Sequence, residues 1–154
     1  MTTDYQITKN FNRREFENSA TAKRKGIDNT IPEMYHDNLL RLAQLLQAIR
    51  DAYNAPIVIG SGYRCPKLNK AVGGVANSDH KYCAAADIKT VTDTLRDNKK
   101  LWDVIMSLKE KNAIKARQII WEYGKKGVGM DWIHISVNHN ANKHKDNQIV
   151  YIGV

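Results

Sequence analysis

The stretch Ser78-Asp79-His80-Lys81-Tyr82-Cys83-Ala84-Ala85-Ala86-Asp87-Ile88 sets the reading of this chain. A histidine and an aspartate stand seven positions apart, in a segment otherwise made of small residues. His and Asp are both metal ligands, and small neighbours leave room for something close to the backbone. The same pattern is compatible with an ordinary strand that holds a buried polar pair. From residue 84 onward the alternation predicts a strand over 84–89. Asp87 and Ala85 face one way, and Ala84, Ala86 and Ile88 the other.

Two further segments bear on that choice. PIVIGSGYR, 56–64, reads as a strand opened by Pro56 and ended by Gly60 and Gly62. DWIHISVNH, 131–139, alternates cleanly. Ile133, Ile135 and Val137 share one face and imply core, so Trp132, His134 and Ser136 face the other side. Asp131 lies three residues before His134. Strict alternation turns it away from that histidine unless the chain is still curling out of the Gly127–Gly129 turn. His80, Asp87 and His134 together make two imidazoles and one carboxylate, the usual composition of a catalytic zinc site with an open fourth position. Arg64, at the end of the 56–64 strand, has the planar fork that suits a carboxylate or a developing oxyanion.

The remaining elements are simpler. Residues 11–31 read as a short helix followed by a loop. Leu39, Leu42, Leu46, Ile49 and Tyr53 recur at helical spacing and predict a core-facing helix over 33–53. Residues 65–79 read mostly as loop. A helix is expected over 94–112, capped by Thr92 or Asp93. RQIIWEYG, 117–124, is a third strand, and NQIVYIGV at the end adds an edge strand. Short strands with two or three helices give an α+β class, expected as one domain over 1–154.

Composition narrows the function classes. The chain has 154 residues, 42% hydrophobic, a formal charge of +8 and a pI near 9.5. No apolar run is long enough for a transmembrane helix. The first residues carry no secretion-signal pattern, so a cytoplasmic protein is expected. The charge calls for an anionic partner, nucleic acid or a phosphate-rich bacterial envelope. It is scattered (Arg13-Arg14, Lys23 to Lys25, Lys99-Lys100, Lys125-Lys126, Lys143 to Lys145). No aromatic-interleaved basic motif accompanies it, which argues against nucleic acid. Cys65 and Cys83 lack CxxC partners, so a zinc ribbon is disfavoured and free thiols are expected. His139 and His144 read as surface residues of a polar tail.

With these residues in place, the run SGYRCPKLNKAVGGVANSDHKYCAAADI resembles the zinc peptidases of the D-alanyl-D-alanine carboxypeptidase type. That group includes phage L-alanyl-D-glutamate endolysins and vancomycin-resistance dipeptidases. The shared pattern is Ser61-Gly62-Tyr63-Arg64, Asn69, Gly73-Gly74, Ser78-x-His80 with Ala85 and Asp87, then Asp131-x-x-His134. The opening Phe11 to Ala22 and the GIDN of 26–29 also look like single-domain members. The resemblance implies a hedgehog/DD-peptidase-like fold: a small antiparallel sheet with helices on one side. It implies one zinc ion held by His80, Asp87 and His134, and Asp131 as general base. It further implies Arg64 as the group that steadies negative charge, with Ser78, Tyr63 and Trp132 in substrate-binding or supporting positions. The implied substrate is bacterial peptidoglycan, cut by a monomeric, endolysin-like peptidase released at lysis. One position departs: Cys83 stands where the family usually has glycine, which suits a backbone with positive φ. Its thiol is expected near the metal site, and a Cys65–Cys83 disulfide is topologically open.

Overall fold

The fold is described from a computed structural model, which describes residues 5–140 and 147–153. The leucine stripe forms the longest helix. A 3-10 turn, Glu33–Tyr35, leads into α3, His36–Tyr53, preceded by the short helices α1 (Arg13–Glu17) and α2 (Ala20–Lys25). Leu39, Leu42, Leu46 and Ile49 of α3 are at most 1% exposed. Each such side chain stabilises the fold by about 1.5–3 kcal/mol through removal from water. The expected single helix in 11–31 is thus two, because Asn12 and Ser19 each cap a new one.

Five strands follow: β1 (Ile57–Ser61), β2 (Ala85–Thr90), β3 (Gln118–Glu122), β4 (Trp132–Ser136) and β5 (Gln148–Ile152). They form one sheet in the order β1-β2-β4-β3-β5. All neighbours are antiparallel except β3 and β5. That parallel pair follows from connectivity. The chain leaves β4 and returns against it, but lands beside β3, which also runs against β4. The tail therefore adds the expected edge strand and makes the sheet mixed.

The helix α5, Leu95–Glu110, lies on the face of the sheet that carries the isoleucines. Its cap is Thr94, not Thr92 or Asp93: the Thr94 side chain accepts from the Asp97 amide. Asp93 has φ +52, whereas an N-cap needs extended backbone. Ile88, Ile119, Ile133 and Ile135 are fully buried with Leu101 and Ile105 of α5 and the leucines of α3. The opposite face of the sheet carries Asp87, His134 and their neighbours.

The segment 65–79 holds more than loop. Pro66–Ala71 forms α4, with Cys65 at its N-cap and Pro66 in its first turn, a position proline favours. Asp79–Tyr82 forms a second 3-10 turn. Neither is long enough to show a periodic stripe. Among the described residues no helix is long and apolar enough to cross a membrane.

Candidate metal centre and its cleft

Strand register brings the three expected ligands together. Asp87 of β2 pairs with His134 of β4, and His134 pairs on its other side with Ile120 of β3. His80 comes from the 3-10 turn that precedes β2. The His134 Nδ1 lies 3.0 Å from Asp87 Oδ1, and His80 Nε2 lies 3.3 Å from the same oxygen. One ligand atom from each residue falls within 4.8 Å of the other two.

The donor set fits a metal ion. His80 Nδ1 donates to the Gly62 carbonyl at 2.6 Å, so its other nitrogen presents a lone pair toward the Asp87 carboxylate. Burial lowers the His80 pKa and favours this neutral ring. Two lone pairs converging at 3.3 Å call for a cation between them. Burial also pushes Asp87 upward. The neighbouring imidazoles, with the His134 contact foremost, more than reverse this and hold its carboxyl well below the usual range. The carboxylate is therefore ionised and ready to ligate.

The motif residues build this corner in definite ways. Gly62 touches the Phe16 backbone: a Cβ there would lie 2.6 Å from the Phe16 carbonyl oxygen. This close approach lets the Gly62 carbonyl reach His80. The Ser78 hydroxyl accepts from the His80 amide at 3.2 Å and caps its turn. Arg64 is held by Ser61 Oγ at 3.0 Å, and faces Asp87 Oδ2 and Asn69 Oδ1 at 3.4 Å each. Gly74 has no room for a side chain, since a Cβ would meet Asn69 Oδ1 at 2.1 Å. Burial lowers the Arg64 pKa, and Asp87 counters it.

A cleft of about 420 Å³ opens over the triple, with Arg64, Ser78, Glu122 and Trp132 among the residues that line it. Asp131 and Tyr63 do not line it. Asp131 is exposed. Its amide donates to the Glu122 carbonyl at the bend just before β4 begins at Trp132. Tyr63 is 4% exposed and packs on Tyr35 with ring centroids 6.2 Å apart. Its carbonyl accepts from Asn29, so it supports the corner from the core side.

Glu122 lines the cleft, where Asp131 does not. It ends β3 and pairs across the strands with Trp132, whose Nε1–H donates to Glu122 Oε2 at 2.5 Å. Burial raises its pKa, and the Asp87 charge adds to this. The signal was in QIIWE: core-facing Ile119 and Trp121 put Gln118, Ile120 and Glu122 on the His134 side.

Two further residues were missed. His139 is buried, not superficial: its Nε2 lies 2.9 Å from Asp79 Oδ1, and its ring stacks on Tyr82 at 4.7 Å. Arg117 binds the other Asp79 oxygen at 2.7 Å. Both ends of the turn that carries His80 are thus gripped by His139. His144 lies outside the described residues. Cys83 follows this turn with φ +56, the conformation that favours glycine. Its thiol is buried beside the charges of Glu17 and Arg13, not those of the ligands, and burial pushes its pKa up. Cys65 and Cys83 are both free.

Two histidines, an aspartate and a half-buried glutamate line one cleft, a donor set that suits a catalytic metal. Residues 9–136 match the family model described as Peptidase M15. The chain belongs to this family of zinc-dependent peptidases, the D-alanyl-D-alanine carboxypeptidase type. A search of curated proteins gives no match.

Proposed function

We propose that this protein is a zinc-dependent peptidoglycan endopeptidase that hydrolyses the L-alanyl-D-glutamate bond of stem peptides. The observation that carries the reading is the His80, Asp87 and His134 triple beside Glu122 and Arg64 in one cleft of an M15 chain. His80, Asp87 and His134 would hold the zinc ion, which would supply Lewis-acid chemistry at the scissile carbonyl. Glu122, in place of Asp131, accepts the proton of the attacking water and returns it to the leaving amine. Its raised pKa brings it toward the range where a carboxyl both takes and gives a proton. The Trp132 hydrogen bond fixes Oε2 and leaves Oε1 to carry the proton. Arg64 steadies negative charge on the substrate or the tetrahedral intermediate. Ser78 and His139 keep the His80 turn in place.

The endolysin role follows the motif resemblance over 61–87 and 131–134, and the +8 charge suits an anionic wall. One chain supplies every residue of the cleft, so we take the enzyme as a monomer with peptidoglycan, not nucleic acid, as its partner. Mass analysis of purified peptidoglycan after digestion tests this. New D-glutamyl amines are expected. Release of free D-alanine alone would mark a carboxypeptidase, and no cleavage by protein with stoichiometric zinc would remove the peptidase reading.

A further inference from the structure

One residue past Glu122, and beside the cleft residue Trp132, stands Tyr123. Its backbone has φ +61, a conformation that a bulky aromatic residue rarely adopts. Several contacts hold it there. Its amide donates to the Ile152 carbonyl at 2.8 Å. Its carbonyl accepts from Trp121 Nε1 at 2.9 Å. Its ring lies 5.4 Å from that of Trp132. The ring also lies against Gly153, where a Cβ would come within 2.3 Å of it. Despite these contacts the residue is 45% exposed. Backbone strain that the surroundings enforce in this way is characteristic of ligand-binding positions. Here it leaves a large aromatic residue part-exposed beside Trp132 of the cleft wall.

We infer that Tyr123, with Trp132 and Ile152, forms a platform for the sugar ring of the glycan strand to which the stem peptide is attached. The inference rests on the reading of this cleft as a peptidoglycan endopeptidase site. Trp132 and Ile152 line the cleft itself, so the platform continues its wall. The exposed Lys125 and Lys126 follow it in the chain. An alanine methyl is too small to cover a tyrosine ring. A long apolar side chain would leave this wet, basic surround unsatisfied. A sugar offers apolar C–H faces for the ring and a polar rim for the surround. The geometry also bears on which bond is cut. In peptidoglycan the sugar is joined directly to L-alanine, one residue from the L-alanyl-D-glutamate bond. The terminal D-alanyl bond lies three residues further, about 10 Å more of extended chain, so a sugar contact next to the cleft favours the nearer bond.

The test compares a disaccharide-linked stem peptide with the same peptide freed of sugar. Tyr123→Gly removes the ring and suits the positive φ, so the fold is retained. The ratio of kcat/KM for the sugar-linked over the free substrate is expected to fall about fivefold, in the range of an aromatic contact, and Tyr123→Phe is expected to keep it. A ratio unchanged in Tyr123→Gly overturns the platform. Titration with the disaccharide of N-acetylglucosamine and N-acetylmuramic acid separates this result from failure of the peptidase reading. The Trp132 indole N–H resonance should shift in the wild type and much less in Tyr123→Gly, even if neither peptide is cleaved. Equal shifts in both proteins, or none in the wild type, would also overturn it.

Discussion

The two faces of β4 do different work with the same backbone. Ile133 and Ile135 are fully buried against α3 and α5, while Trp132 and His134 line the cleft. The apolar face fixes the register, because a one-residue slip would expose both isoleucines. That register sets His134 opposite Asp87 and Trp132 opposite Glu122. The cleft face thus gets its geometry from the core face and contributes little packing of its own. Stability and chemistry should then separate by substitution, face by face.

The largest effect is expected on the cleft face. His134→Ala should abolish stoichiometric zinc binding, read by metal analysis after dialysis, while the far-ultraviolet circular dichroism stays native. On the core face Ile135→Ala should cost about 2–5 kcal/mol in chemical denaturation, as other buried aliphatic truncations do. Zinc affinity of its folded fraction should stay near the wild-type value. Should Ile135→Ala weaken zinc as much as His134→Ala, the separation of faces fails. A smaller effect comes from behind the site. His139→Ala removes the grip on Asp79 and Tyr82, and zinc affinity by chelator competition should fall about 10- to 100-fold, as for other residues that orient metal ligands. The smallest concerns Cys83. Both Cys83→Gly and Cys83→Ala delete the buried thiol, and only glycine relieves the left-handed backbone. Cys83→Gly should therefore be about 1 kcal/mol more stable than Cys83→Ala.

The sequence was informative where period and composition were strong. The α3 stripe and the alternation of WIHIS both show in the structure, as does the small-residue run beside Asp87. The positive φ that suits the family glycine is present at Cys83. Three things could not be read locally. α4 and the turn at 79–82 are too short for periodicity and depend on caps at Cys65 and Ser78. His139 sits in a polar-looking segment and is buried by partners 60 and 57 residues away in sequence, Asp79 and Tyr82. Glu122 needed the pairing of β3 with β4, which places it against Trp132. Asp131 has the spacing of the family motif, but it is exposed and does not line the cleft.

That last contrast gives the most direct test of the central claim. Glu122→Gln and Asp131→Asn, both loaded with zinc, would be compared with the wild type for the rate of stem-peptide cleavage on purified peptidoglycan. Glu122→Gln should bind zinc normally and lose about 10²- to 10⁴-fold in kcat, the contribution of a positioned proton carrier, while Asp131→Asn stays close to the wild type. A full loss in Asp131→Asn with Glu122→Gln still active would contradict the account and return the proton carrier to residue 131.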